Sequence, residues 1–191
     1  CLILFRSYCN SLVINESTIG FTKEIKEKNL SELPKNDLLI KVSYSSINFK
    51  DALSASGNKG VTRKFPHIPG IDAVGTVAES NSKKFPIGSK VLVTGFDLGM
   101  NTWGGFGEYI SIPEKWAVHL PAELTEKEAM SYGTAGLTAG LSVCQILQSS
   151  TVNSENGKVV VSGATGGVGS IAVSILAKIG FDVLAVSGKK E

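Results

Sequence analysis

Short apolar runs, each closed by glycine or proline, dominate the chain from Asp37 to Leu120. The runs at 38–42, 73–77, 90–93 and 109–112 are rich in valine, isoleucine and leucine. Pro66, Pro69, Pro86, Pro113 and paired glycines separate them. This spacing predicts a compact β-barrel or sandwich. One helix-like piece at 48–55, ended by Gly57, interrupts it.

The periodicity changes at Thr125. Thr125 and Glu128, three residues apart, have the form of a capping box that opens a helix carrying Ala129, Met130 and Tyr132. A second helical segment rich in alanine and leucine follows at 135–147, then a polar connector at 149–157. Residues 158–162 form a β-branched run and predict a strand buried on both faces. The next segment places Val168, Ile171, Ala172, Ile175, Leu176 and Ile179 at helical spacing, and Gly180 follows as a C′ glycine. A second strand is expected at 183–186. Residues 158–186 thus read as one β-α-β unit, the parallel crossover motif of about 30 residues. A first, β-rich domain is assigned to 1–131, and a second begins at 132.

The loop Gly163-Ala164-Thr165-Gly166-Gly167-Val168-Gly169 joins the strand to the helix. A glycine fingerprint in that context points to a dinucleotide. Glycine at 166 and 167 lets a pyrophosphate approach the backbone, and the helix N-terminus meets its charge. Gly169 lets helix and strand pack closely. The plainer reading is a tight turn before an amphipathic helix. At the tip of the second strand an NAD-binding protein places an acidic residue for the ribose 2′-hydroxyl. Here the strand exits into Ser187-Gly188-Lys189, and Asp182 stands at its other end. A hydroxyl, a glycine and a cation suit a 2′-phosphate, so NADP is favoured over NAD. The alternative for Lys189 and Lys190 is the start of a solvated helix.

Composition narrows the partners. Of 191 residues, 42% are hydrophobic and 19% charged, the balance of a globular protein. A formal net charge of +2 gives no electrostatic reason to expect nucleic acid or an acidic membrane. Lys23, Lys26 and Lys28 alternate with Glu24 and Glu27, as on a solvated surface. Three cysteines and two histidines, far apart, are too few for a disulfide framework or a zinc cage. No run is long enough for a signal sequence or membrane span, which leaves the cytoplasm as the expected location. The chain begins at Cys1 and ends just past a strand, so it reads as a fragment.

Several segments together resemble one branch of the medium-chain dehydrogenase/reductase superfamily. They are Tyr44-Ser45-Ser46-Ile47-Asn48-Phe49-Lys50-Asp51, Phe65-Pro66-His67-Ile68-Pro69-Gly70-Ile71-Asp72, Trp103-Gly104-Gly105-Phe106-Gly107-Glu108, Gly133-Thr134-Ala135-Gly136-Leu137-Thr138-Ala139 and the glycine loop. The branch is that of the YhdH/YhfP-type quinone oxidoreductases, whose members include acrylyl-CoA reductase. The resemblance covers residues 37–191, and residues 1–20 match nothing in it. It implies a β-rich GroES-like catalytic domain followed by the start of an α/β Rossmann domain, truncated after its second strand. It also implies NADPH in the cleft between the domains and a homodimer of the full-length protein.

Zinc-dependent relatives hold a catalytic metal with a cysteine near position 48 and a His-Glu pair after the Pro-Gly motif. This chain has Asn48, Ile71 and Asp72 there, so no metal is expected. In the branch, a tyrosine follows the motif asparagine and contacts NADP near the nicotinamide. Phe49 replaces it here and loses the phenol hydroxyl. The resemblance assigns Thr165, Gly166, Gly167 and Val168 to the pyrophosphate, and Ser187, Gly188 and Lys189 to the 2′-phosphate. Thr138 either reaches the nicotinamide amide or is an ordinary helix threonine.

Asn48 and Lys50 are the candidate catalytic residues, as hydrogen-bond donors to a substrate carbonyl, while Asp51 reads mainly as a first-turn helix acid. His67 is expected to be a loop residue and His119 a partly buried structural one. Trp103 either walls the substrate cleft or packs between strands, and Cys144 is expected in a core. The implied reaction is hydride transfer from NADPH to the β-carbon of an activated alkene, such as an acryloyl thioester or enone. An NADPH:quinone reductase is the alternative enzyme, and a non-catalytic NADPH-binding protein the alternative of another class.

Overall fold

The computed structural model describes residues 7–149, 152, 154–155 and 157–188. Two compact units emerge, Cys1–Gly133 and Thr134–Glu191. In the first, β3 (Leu38–Tyr44), β4 (Asp72–Ser80), β5 (Lys90–Thr94), β6 (Tyr109–Ile112) and β7 (Val118–His119) form an antiparallel sheet of order β6-β3-β4-β5-β7. The runs read as strands from their hydrophobic pattern are all here. Leu38, Ile40, Val77, Val91, Val93, Ile110 and Ile112 form its core with Phe85 and Leu98. Gly75 is required where β4 crosses β3, because a Cβ there would strike the Lys41 carbonyl.

Residues 8–29, which the sequence left unplaced, form a hairpin of β1 (Tyr8–Ser17) and β2 (Gly20–Asn29). β1 buries Cys9, Ser11, Val13 and Ile14. Its backbone is tied to two motif segments: Ile14 N–H donates to the His67 carbonyl at 2.8 Å, and Leu12 N–H to that of Phe106 at 2.9 Å. β2 buries no residue: Lys23, Lys26 and Glu27 are exposed, Glu24 and Lys28 partly so, and Ile25 is 70% exposed.

Helix α1 (Phe49–Ala55) starts at the N-cap Asn48 and ends before Gly57, whose φ is 81°. Helix α2 (Glu126–Leu147) opens on the predicted box, with Thr125 N–H donating to Glu128 Oε2 at 2.9 Å and Glu128 N–H to Thr125 Oγ1 at 3.2 Å. It breaks at Gly133, where φ is 49° and ψ is −150°. That backbone conformation is open to glycine and strained for other residues.

The second unit holds β8 (Val159–Ser162), α3 (Gly167–Lys178) and β9 (Val183–Val186), with the two strands parallel. Val143, Leu176 and Phe181 form its small core, flanked by Ile146, Val159, Val161, Ile175 and Val183. One expectation fails here. β8 is not buried on both faces: Val159 and Val161 pack against the small core, while Val160 points to the opposite face and is 60% exposed. On α3, Ala172 and Leu176 are buried, while Val168 and Ile179 lie exposed at the two ends of the stripe. No helix among the described residues is long and apolar enough to cross a membrane.

Candidate active site

In the second unit the glycine loop sits between β8 and α3, as the crossover requires. Gly163 takes φ 61° and Gly166 is the N-cap of α3. A Cβ on Gly169 would strike the Gly163 carbonyl, so helix and loop touch there through backbone. At Gly166 a Cβ would meet only the Gly163 carbonyl at 3.3 Å, and at Gly167 only Ala135 at 3.4 Å. Gly166 and Gly167 are exposed, so their backbone lies bare at the helix N-terminus, as a pyrophosphate needs. The two predicted cofactor segments are adjacent. Ala164 N–H donates to the Val186 carbonyl at 3.1 Å, and the Thr165 and Ser187 hydroxyls are 3.3 Å apart. Val168 opens the helix and Gly188 follows Ser187 off the strand, both exposed. Lys189 lies outside the described residues. Thr138 is exposed, and its hydroxyl donates to the Thr134 carbonyl within the helix at 2.8 Å.

In the first unit, the turn before α1 and the start of β4 converge. Asn48 is half-buried, and its Nδ2 donates to Asp72 Oδ2 at 2.9 Å. Asp51, in the first turn of α1, is 2% exposed and accepts from three backbone N–H groups: Asn48 at 2.7 Å, Ile71 at 2.9 Å and Gly70 at 3.1 Å. It thereby pins the Pro-Gly turn to the helix, the structural part foreseen for it. Burial pushes the Asp51 carboxyl above the ordinary carboxylate value, and these three bonds oppose the shift. Phe49 is 79% exposed and Lys50 is exposed beside it. Asp72 is fully buried, and a Cβ on Gly133 would press on both its Oδ2 and the Ser46 hydroxyl. The sequence singled out Asp72 only as an absent metal ligand and left Gly133 within a motif. Their contact joins residues 61 positions apart, from 133 − 72, and no local pattern encodes it.

Other residues are placed as follows. His67 stands in a loop but is 1% exposed, with Nε2 2.8 Å from the Gly99 carbonyl, so it serves the packing. His119 is exposed rather than partly buried, on the short edge strand β7, with its ring 4.6 Å from that of Phe85. Cys144 is exposed and not in a core, because Ala139 and Val143 form the buried stripe of that helix. Trp103 is half-buried, with Lys28 Nζ 5.1 Å above its ring. Among the described residues, no three His, Cys, Asp or Glu side chains cluster as metal ligands.

The sequence profile of the alcohol dehydrogenase GroES-like domain matches residues 34–122. Acrylyl-CoA reductase AcuI from Ruegeria pomeroyi is 40% identical over 184 residues, 95% of this chain and 56% of that protein. The YhdH oxidoreductase of Salmonella enterica, solved with NADP, superposes with a TM-score of 0.91 at 41% identity, over 95% of this chain and 56% of that one. The chain carries the alcohol dehydrogenase GroES-like domain, and over nearly its whole length it is similar to oxidoreductases of the YhdH/YhfP type. A further relative is Bacillus subtilis YhfP, which carries a provisional quinone oxidoreductase name. It is 49% identical over 167 residues, 87% of this chain and 50% of that protein. Its structure with NAD bound gives a TM-score of 0.90 at 45% identity, over 96% of this chain and 55% of that one. The chain thus spans about half the length of the curated relatives it matches. The branch has a GroES-like domain and then the start of a Rossmann-like α/β region within this span. The β1–β2 hairpin precedes the profile match but falls within the structural superposition, which extends over nearly the whole chain.

Proposed function

We propose that the full-length protein is an NADPH-dependent reductase of activated alkenes, with an acryloyl-CoA-like thioester or an enone as substrate. The observation that carries this reading is the joining of the glycine loop to the exit of β9 at Thr165 and Ser187. One continuous surface then serves both the pyrophosphate and the 2′-phosphate end of a single dinucleotide. In this reading Thr165, Gly166, Gly167 and Val168 hold the pyrophosphate, and Ser187, Gly188 and Lys189 the 2′-phosphate. Phe49 covers the nicotinamide region and Thr138 faces its amide. Bound NADPH supplies a hydride.

The hydride adds to the alkene β-carbon, and the π-electron pair moves through the α-carbon onto the carbonyl oxygen. Asn48 and Lys50 donate hydrogen bonds to that oxygen, which lowers the energy of the charge as it develops. A proton from water or from an acidic side chain then completes the α-carbon. No metal takes part, and a homodimer in the cytoplasm completes the reading. The name of YhfP favours a second reading on the same residues, an NADPH:quinone reductase. Turnover of the full-length protein with acryloyl-CoA and with a simple quinone separates the two. Faster turnover of the thioester supports the first reading, quinone alone supports the second, and binding of NADPH without either reaction leaves a non-catalytic cofactor-binding protein.

A further inference from the structure

Asp72 has no part in the reading above, yet it is the most enclosed charged group beside Asn48, at 0% exposed. It stands at the first position of β4, just after the Gly70-Ile71 turn that Asp51 holds through two backbone N–H groups. Its backbone carbonyl accepts from the Ser45 hydroxyl at 2.5 Å, and the Ser46 hydroxyl donates to the Met130 carbonyl at 2.6 Å. Asp72 is thus held through its carbonyl, and Asn48 through its N–H donation to Asp51 Oδ2 at 2.7 Å. Gly133 leaves the space their side chains fill, since a Cβ there would press on Asp72 Oδ2.

An ionised carboxylate accepts hydrogen bonds and donates none. Its bond to Asn48 thus sets which end of the amide faces inward: the nitrogen is committed to Asp72. We propose that Asp72 is a positioning residue, which locks the Asn48 amide nitrogen-inward so that its second N–H is the donor offered to the substrate carbonyl. The proposal rests on the reductase reading for its substrate, and on the pair alone for its geometry. Without the carboxylate, the amide turns freely between a donor and an acceptor face. A misdirected donor loses transition-state stabilisation even where the fold survives.

Exchanging the two residues separates positioning from mere packing. Asp72→Asn in the full-length protein keeps the shape but lets position 72 donate as well as accept, so the Asn48 amide is no longer held one way round and kcat/KM for the alkene should fall roughly ten- to a hundredfold. The double variant Asn48→Asp with Asp72→Asn restores a hydrogen bond of reversed direction, with an acceptor now at position 48. Its thermal stability should recover towards that of the parent while kcat/KM stays low. Recovery of both together would overturn the proposal, as would an Asp72→Asn protein that keeps its kcat/KM within about twofold. Should Asp72→Asn fail to fold, the double variant still decides. Proton–nitrogen spectra of the Asn48 side-chain amide give a readout free of turnover. One of its two protons should be exchange-protected in the parent and lose that protection in Asp72→Asn. If the parent reduces neither thioester nor quinone, the functional reading falls, and an unprotected Asn48 amide in those spectra would overturn the pairing itself.

Discussion

His67 illustrates how a single buried side chain couples this fold to pH. Burial holds its imidazole below the ordinary value of 6.5, and the hydrogen bond to the Gly99 carbonyl only partly opposes that shift. The folded protein therefore binds fewer protons at this site than the unfolded chain. The stability that follows is complete above the ordinary value and is lost as pH falls through the lower folded one. His67→Gln keeps a donor for the Gly99 carbonyl without titrating. Denaturant unfolding at a series of pH values below 6.5 should show a shallower loss of stability for the variant than for the parent. Equal slopes would mean that His67 does not carry this dependence. The sequence placed His67 in a Pro-rich loop, which is right. Its burial was illegible because the strand that covers it, β1, lies 53 residues earlier, from 67 − 14, and pairs with it through an isolated bridge at Ile14. Cys144 was misread for a related reason. Its neighbours Leu141 and Leu147 are apolar, but at helical spacing they share an exposed side, while Ala139 and Val143 face inward.

At the level of elements, periodicity and punctuation were informative wherever one face of an element meets a core. Thr125 with Glu128, Gly57 after α1 and Gly180 after α3 mark ends that the structure keeps. The hairpin was missed because β2 has no buried residue and carries Lys and Glu on both of its faces, so it lacks an apolar alternation and its charges read as a solvated surface. The small core of the second unit gives a direct check on packing. Leu176 is 1% exposed between Val143 and Phe181. Leu176→Ala should cost about 2–5 kcal/mol in that unit, from lost transfer energy and the cavity left behind. Hydrogen exchange of β8 and β9 amides in parent and variant measures it. Unchanged protection would show that the α3 stripe does not hold the two strands. Gly169 makes the complementary point: its need is steric, set by the Gly163 carbonyl, and a glycine fingerprint states that need in the sequence itself.

Across the whole molecule, the glycine loop and the exit of β9 were the more legible, because a β-α-β unit brings them together within a short stretch of chain. The cluster in the first unit was not, since Asn48, Asp51, Asp72 and Gly133 meet only after the chain has folded. In the proposed reading, cofactor choice follows from the strand tip. The two relatives solved with NADP and with NAD show that both dinucleotides occur on this fold. In the full-length protein, Lys189→Glu should weaken NADPH binding by about 1–3 kcal/mol and leave NADH nearly unchanged. Titration with both cofactors checks it, and tighter binding of NADH than NADPH by the parent would contradict the assignment. Isotope transfer tests the proposed delivery of hydride from NADPH to the alkene β-carbon. NADPH deuterated at its hydride-bearing carbon should place deuterium on the β-carbon of the saturated thioester, with solvent hydrogen on the α-carbon. Deuterium at the α-carbon, or a saturated product carrying none, would contradict the account.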